Sequence, residues 1–176
     1  SLAVPAVIPV APLTGGALTQ TGALTVSGAT GITAGTANDI TLNNTSNNFT
    51  GAVSVVSGKN VNFFDLDGLE LGASSISGNL TLQSGGLIQS GALTVGGTTG
   101  ISVGDNMVTL NRADNDFTGA VSVSGEDVAL RDLNALILGA STVSGNLSVQ
   151  TGGELTQNGA LAVTGTTGIT AGAANN

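Results

Sequence analysis

The side chains of this sequence that could carry chemistry are carboxylates. Asp65 and Asp67 lie in the stretch FFDLDG, and Arg131 and Asp132 occupy the corresponding stretch of a second, similar segment. Glycoside hydrolysis requires two carboxylates at a defined separation, one of them with a raised pKa. On stacked β-strands, Asp65 and Asp132 would share a face three coils and ~14 Å apart, which is too far for that pair. We therefore expect solvated turn carboxylates at these positions and predict no catalytic residues.

A second group of acidic residues raises the question of calcium. Asp114 and Asp116 lie in the stretch RADND, with Asp105 upstream, and Ca²⁺ takes about six to eight oxygen ligands. However, the first copy of this stretch reads NTSNN, and the calcium-binding G-G-x-G-x-D repeat is absent. We expect these side chains to make Asx-type turn hydrogen bonds. No metal ligands, no cofactor-binding residues and no cofactor are predicted.

Composition excludes several other classes of function. The chain has no His and no Cys, which excludes Ser-His-Asp and Cys-His catalysis, thiolate metal sites and disulfides. Eleven acidic residues against three basic ones give a net charge of −8. Nucleic acid and anionic lipid are unfavourable partners, because binding them needs clustered Lys and Arg. No apolar run approaches the ~20 residues of a membrane span, so membrane insertion is not expected.

The elements that position these residues belong to an internal repeat. NNFTGAVSV at 47–55 recurs as NDFTGAVSV at 115–123, with Asn48 against Asp116 as the one difference. Two further sets of segments repeat at nearly the same spacing, namely LGASSISGNLTLQSGG at 71–86 with LGASTVSGNLSVQTGG at 138–153, and GALTVSGATGITAG at 22–35 with GALTVGGTTGISVG at 91–104 and GALAVTGTTGITAG at 159–172. The chain thus holds roughly two and a half copies of one unit of about 68 residues.

Within each unit, short motifs such as GALTV, GAVSV and GNLTL place two apolar residues two positions apart. This alternation predicts strands with one buried face, and the Gly, Asn, Asp, Ser or Thr that follows each motif predicts a turn. The chain has four Phe and no Trp or Tyr, so its interior must consist of thin aliphatic layers. An all-β fold is therefore predicted, a β-solenoid with about three strands per coil and about seven to eight coils.

Dividing the unit into three coils of about 23 residues predicts which strands stack on one another. The first face would stack AVSV (52–55), NLTL (79–82), GISV (100–103), AVSV (120–123) and NLSV (146–149). The second would stack VNFF (61–64), GLIQ (86–89), MVTL (107–110) and VALR (128–131). The third would include LELG (69–72), ALTV (92–95) and LILG (136–139).

Two parts of the chain are distinguished. We expect residues 1–14 to form an apolar, Pro-rich N-terminal arm or cap, and residues 15–176 to form the solenoid, as a fragment of a longer array or as one subunit of a fibre. Because proline cannot donate a ladder hydrogen bond, the arm either blocks an open edge or adds as a strand to a neighbouring subunit. GITAGAANN at 168–176 matches GITAGTAND at 31–39, which continues into a further coil. An unfinished terminal coil is therefore expected.

The four phenylalanines are the candidates for a contact surface. Phe49 and Phe117 occupy the same position in the two copies, and we expect them to pack inwards at a coil corner. Phe63 and Phe64 are adjacent on one predicted strand, so one of them should point outwards.

The segment NDFTGAVSVSGEDVALRDLNALILGASTVSGNLSVQTGGELTQNGALAVTGTTGITAG resembles the repeats of filamentous-haemagglutinin-like exoproteins of Gram-negative bacteria. The resemblance covers about residues 15–176. It implies a right-handed parallel β-helix, secretion by a two-partner or autotransporter route, and a shaft segment. The amino-terminal secretion domain of such proteins and a recognisable adhesive or toxin module are absent from this sequence.

Three functions follow as expectations. The first is a non-enzymatic structural shaft of a secreted bacterial adhesin or exoprotein at the cell surface. The second is a subunit of a self-assembling extracellular fibre, joined end to end through the apolar arm and the open terminal coils. The third, which we weigh least, is a polysaccharide-active β-helix enzyme. The expected partner is therefore another copy of the chain or a host or cell-surface ligand that the sequence does not identify.

Overall fold

The computed structural model describes residues 16–172, and all regular secondary structure in that range is β. No helix that could cross a membrane occurs among these residues. The chain in this range forms 23 short strands, each two to five residues long. Gly and polar residues separate the strands, as the period-2 motifs predict.

The first twelve strands are β1 (Leu18–Thr19), β2 (Thr25–Val26), β3 (Thr30–Thr33), β4 (Ile40–Leu42), β5 (Asn48–Phe49), β6 (Val53–Ser57), β7 (Val61–Phe64), β8 (Leu69–Leu71), β9 (Ser74–Ile76), β10 (Leu80–Gln83), β11 (Leu87–Gln89) and β12 (Leu93–Val95). The remaining eleven are β13 (Thr99–Ser102), β14 (Val108–Leu110), β15 (Asp116–Phe117), β16 (Val121–Gly125), β17 (Val128–Asp132), β18 (Leu136–Leu138), β19 (Ser141–Val143), β20 (Leu147–Thr151), β21 (Leu155–Gln157), β22 (Leu161–Val163) and β23 (Thr167–Ala171).

These strands stack in parallel into a β-solenoid of about eight turns, which confirms the predicted fold class. One long sheet runs in the order β1-β4-β7-β10-β13-β16-β18-β21, and we call it the first long sheet. The other, the second long sheet, runs in the order β3-β6-β8-β11-β14-β17-β20-β23. Ile40, Val61, Leu80 and Thr99 are successive register partners in the first long sheet. A coil of this stacked repeat therefore contains about 20 residues rather than the predicted 23.

The core is a set of aliphatic rows between the two long sheets. Each register step places one buried side chain on the next, as Leu42, Phe63, Leu82 and Ile101 do. Phe63 also contacts the ring of Phe49, with ring centroids 4.9 Å apart. Stacking of this kind needs residues of similar volume in every coil, which explains why Val, Leu and Ile fill the interior.

The short strands form a third side that changes position along the solenoid. β2 and β5 follow strands of the first long sheet, β9, β12 and β15 follow strands of the second, and β19 and β22 again follow the first. The change takes place at two five-residue strands. β6 pairs with β8 at Val53 and continues to a bridge between Gly58 and Ile76 of β9. Its equivalent β16 pairs with both β18 and β19.

This arrangement shows that the predicted stacking of the repeat was partly wrong. Strands one unit apart lie in opposite long sheets: β7 is in the first and its equivalent β17 in the second, and the same holds for β10 and β20. The unit of about 68 residues therefore spans about three and a half coils of about 20 residues, not three coils of about 23. Two units are needed to return a strand to its own sheet, as β1 and β21 illustrate.

The predicted faces divide accordingly. NLTL, GISV and the second AVSV stack as expected in β10, β13 and β16, but the first AVSV and NLSV lie in the second long sheet as β6 and β20. GLIQ, MVTL and VALR stack as expected in β11, β14 and β17, whereas VNFF lies in the first long sheet as β7. LELG, ALTV and LILG do not stack, because β8, β12 and β18 belong to three different sheets.

The last coil of the described range has an exposed apolar residue. At the end of the range, β23 pairs with β20 on one edge. Its Ile169 is 52% exposed, although the equivalent Ile32 and Ile101 are buried. The predicted arm, residues 1–14, and the last residues of the predicted unfinished coil lie outside the described residues.

Candidate functional site

Four polar side chains are buried where columns of short strands end, and they form the most distinctive chemical arrangement of the described chain. They are Asn47 and Asp65 in the first unit and Asn115 and Asp132 in the second. All four are at most 1% exposed. Buried polar groups are costly unless they are hydrogen-bonded, so the partners of each side chain reveal its role.

Asp65 replaces a strand that is missing. Phe49 is the last residue of β5, and β5 is the second and last strand in the short stack of β2 and β5. In the following coil the chain makes a tight turn instead of a strand, and one carboxylate oxygen of Asp65 accepts the Phe49 N–H at 3.1 Å. The other oxygen accepts the N–H of Asp67 at 3.1 Å, which closes an Asx-type turn. The carboxylate thus supplies the acceptor that another strand would have provided.

Asp132 makes the same two contacts one unit later. Its Oδ2 accepts the Phe117 N–H at 2.7 Å, and its Oδ1 accepts the Asn134 N–H at 2.6 Å. Burial raises the pKa of both Asp65 and Asp132 above the ordinary value, and each backbone hydrogen bond lowers it by less. Each carboxylate therefore holds its backbone partners at a cost in desolvation.

The buried asparagines secure the start of the same short columns. Asn47 Oδ1 accepts the Leu24 N–H at 2.9 Å, while its Nδ2 donates to the Leu42 carbonyl at 3.1 Å. Gln20 exchanges a pair of side-chain hydrogen bonds with Asn47, at 2.8 and 2.9 Å. The second unit repeats this arrangement with Asn115 and Gln89 in the corresponding roles.

A further pair involves the one position that differs between the two nine-residue copies. Asn48 Nδ2 donates to Asp67 Oδ2 at 2.8 Å. One unit later the residue types are exchanged, with Asp116 at the position of Asn48 and Asn134 at that of Asp67. Asp67 raises the pKa of Asp65, and Asp116 raises that of Asp132, by like-charge repulsion. Both copies therefore keep one amide and one carboxylate beside the buried aspartate.

The arrangement is suited to holding backbone rather than to acid–base chemistry. Asp65 follows β7 of the first long sheet, whereas Asp132 ends β17 of the second, so the prediction that they share a face was wrong. Both oxygens of each carboxylate already accept backbone N–H groups. Two outer grooves of about 430 and 380 Å³ contain one carboxylate each, from Glu70 and Asp127 respectively. Neither groove therefore holds a carboxylate pair.

The acidic residues that were considered as calcium ligands are not gathered into a site. Among residues 16–172, no three acidic side chains lie close enough together to hold a metal ion. Asp114 instead pairs with Arg112, with Nε 3.0 Å from Oδ1 and Nη2 3.1 Å from Oδ2. This ion pair lowers the pKa of Asp114. Asp105 is exposed.

The phenylalanines lie where the strand pattern predicts. Phe49 and Phe117 are buried at the end of short strands, which confirms inward packing. Phe63 is buried and Phe64 is half-buried on the outer face of β7, so the expected division of that pair is also confirmed. Nothing in the strand pattern marked Asn47, Asn115, Gln20 or Gln89. Their signal is identity of type between the two copies at positions that are neither Gly nor apolar.

Comparison with known proteins places this chain by its repeats. No curated protein and no solved structure matches it. A family described as "Repeats of unknown function (DUF5649)" matches residues 10–56, 58–124 and 125–175. The middle segment has nearly the length of the unit found by self-alignment, and the three segments together cover most of the 176 residues. The chain therefore belongs to this family of repeats of unknown function.

Proposed function

We propose that this chain is a non-enzymatic structural shaft of a secreted bacterial surface protein of the filamentous-haemagglutinin-like kind. Its task would be to hold other parts of the protein at a distance from the cell. The observation that carries the proposal is that every strand continues a parallel stack, and that the buried acids are used entirely on backbone N–H groups. The extracellular, cell-surface location is part of this proposal and rests on the sequence resemblance.

A shaft should change reach when its length changes. One unit of about three and a half coils adds about 17 Å at the usual strand spacing. We expect small-angle scattering of a chain with one duplicated unit, residues 58–124, to show this increase in maximum dimension with an unchanged cross-section. A chain that became wider instead of longer would contradict the rod. Protease treatment of intact cells of the source organism tests the location, because a surface shaft must be accessible to it.

Enzymatic activity is the alternative that this proposal excludes. Incubation with neutral and acidic polysaccharides should yield no new reducing ends. Cleavage that is lost in Asp65→Asn, with the fold retained by circular dichroism, would overturn the shaft assignment. Asp105→Asn is the matched control, because it removes the same charge from an exposed site.

A second candidate is the subunit of an extracellular fibre. The exposed Ile169 on β23 favours it, since within the described residues no strand covers the free edge of β23. Open parallel edges recruit further strands. Light scattering across a concentration series separates the two proposals: filaments would favour the fibre, and a persistent monomer would favour the shaft.

A further inference from the structure

The first coil of the described range has an apolar opening. A cavity of about 480 Å³ lies at that end, and its apolar lining includes Leu18, Leu24, Ile32, Leu42 and Phe49. Leu18 and Leu24 are only partly buried. Their equivalents one unit later, Leu87 and Leu93, are at most 1% exposed because β8 and β9 of the preceding coil pair with β11 and β12. Within residues 16–172, therefore, no coil covers this opening.

The direction of the hydrogen bonds defines what that coil must offer. Core-facing residues donate towards the following coil: the Leu18 N–H reaches the Asp39 carbonyl and the Ile40 N–H the Asn60 carbonyl, both at 2.8 Å. Residues that leave the core donate towards the preceding coil, as the Thr50 N–H does to the Val26 carbonyl at 2.9 Å. A coil beneath β2 and β3 thus needs N–H groups on its core-facing residues, and the other N–H groups would lie on its free edge.

The segment LAVPAVIPV at residues 2–10 meets this requirement. The sequence offset between the register partners Leu18 and Ile40, applied one coil earlier, sets Leu2, Val4, Ile8 and Val10 beneath Leu24, Val26, Thr30 and Ile32. All four have a backbone N–H that can donate towards the following coil. In the same register Pro5 and Pro9 fall at positions whose N–H would point away from the solenoid, where a missing donor costs nothing. Pro12 falls beneath Ala34, beyond the end of β3.

We propose that residues 2–10 of this chain form the coil beneath β2 and β3, with Leu2, Val4, Ile8 and Val10 closing the apolar opening. Pro5 and Pro9 then give the outer edge of that coil no donors at two positions, so a further strand cannot pair there regularly. The segment carries no charge, as its buried position requires. It thus acts as an N-terminal cap on this end of the parallel stack.

Disulfide trapping tests the register directly, because the chain has no cysteine of its own. Pro9→Cys with Gly31→Cys places the two sulfurs on neighbouring strands, and a side chain at Gly31 meets nothing within 4 Å. We expect an intramolecular disulfide in most molecules under mild oxidation. Pro9→Cys with Ser54→Cys is the control, since Ser54 is the partner of Gly31 one coil further on and lies out of reach. Equal cross-linking of both pairs, or of neither, would overturn the proposal.

A second experiment separates a cap from an arm that binds another copy. Ile8→Asp should lower the urea midpoint and increase hydrogen exchange at Thr25 and Gly31, the outward residues of β2 and β3 whose N–H groups would donate to residues 2–10. Val7→Asp, which the same register sets at a corner away from the core, should leave both unchanged. The unmodified chain should sediment as a monomer at every concentration tested. A dimer that Ile8→Asp dissociates would assign the segment to a neighbouring molecule and overturn the intramolecular cap. If Ile8→Asp does not fold, the trapping experiment still decides.

Discussion

The exchange of Asn48 and Asp67 for Asp116 and Asn134 predicts a compensating pair. In the first unit Asn48 Nδ2 lies 2.8 Å from Asp67 Oδ2. Asn48→Asp would replace this hydrogen bond by two carboxylates and would add a negative charge next to the buried Asp65. Asp67→Asn, made in addition, would reproduce the residue types of the second unit. We expect the single change to destabilise the protein and the double change to restore it.

The magnitude follows from the geometry. Two carboxylates about 4 Å apart repel by ~1 kcal/mol in a solvent-like dielectric. The solvent-like value applies here because Asp67 is exposed. Loss of the hydrogen bond, at the small value typical of exposed charged pairs, adds ~0.5 kcal/mol. Asn48→Asp should therefore cost about 1 to 2 kcal/mol, and the double variant should lie within ~0.5 kcal/mol of the original chain.

Urea denaturation of the four proteins in this double-mutant cycle measures the coupling. Asn43→Asp is the matched control, because Asn43 is exposed in the loop that leads to β5 and gains the same charge. Part of the penalty should disappear in molar salt, since exposed repulsion is screened. The reasoning is refuted if Asn48→Asp costs no more than the control, or if Asp67→Asn adds to its penalty instead of removing it.

Three further predictions concern the buried aspartates and two of the glycines. Asp132→Asn keeps one acceptor oxygen and leaves either the Phe117 or the Asn134 N–H without an acceptor, so it should lower the free energy of unfolding by about 1 to 3 kcal/mol. Asp105→Asn, at an exposed position, should not. Because burial raises the pKa of both buried aspartates above 3.8, the folded state holds their protons more tightly than the unfolded chain does. The stability they contribute is therefore complete below about pH 3.8 and is lost as the pH rises through their folded pKa. The urea midpoint of the original chain should fall over that pH range, and it should fall less in a variant with both aspartates changed to Asn. Gly119→Ala should cost about 1 to 3 kcal/mol in thermal unfolding because its Cβ would overlap the backbone of the preceding coil, while Gly100→Ala, whose Cβ meets nothing within 4 Å, should be neutral or stabilising by up to ~1 kcal/mol.

Much of the fold could be predicted because each strand carries its own pattern. Val53 and Val55, or Leu80 and Leu82, specify a strand with one buried face wherever they lie in the chain. The parallel stack and the aliphatic core follow from the repetition of that pattern. The phase of stacking could not be predicted, because it depends on how many residues each corner uses. Shorter corners than the prediction assumed fit more coils into each unit, and the unit therefore turns half a revolution further.

The polar site was predicted less well than the strands. The carboxylates of Asp65 and Asp132 were recognisable as turn residues, but the expectation that they are solvated was wrong. Their burial comes from a contact between coils, because each lies over the last strand of a stack of short strands. Asn47 and Asn115 were hidden for the same reason, since their partners Leu24 and Leu93 lie 23 and 22 residues earlier. The exchange between Asn48 and Asp67 became meaningful only when the two side chains were seen in contact.

The sequence by itself determined that this chain is an all-β repeat with a thin aliphatic interior, because side-chain alternation and turn residues act locally and need no knowledge of neighbours. Tertiary structure alone decided which coil lies on which, where the short strands change sides, and which acids are buried. The stacking depends on the summed length of several corners, and the burial of the acids depends on backbone N–H groups of the preceding coil that no strand accepts. Short-range pattern therefore specifies the strands, and packing between coils specifies the site.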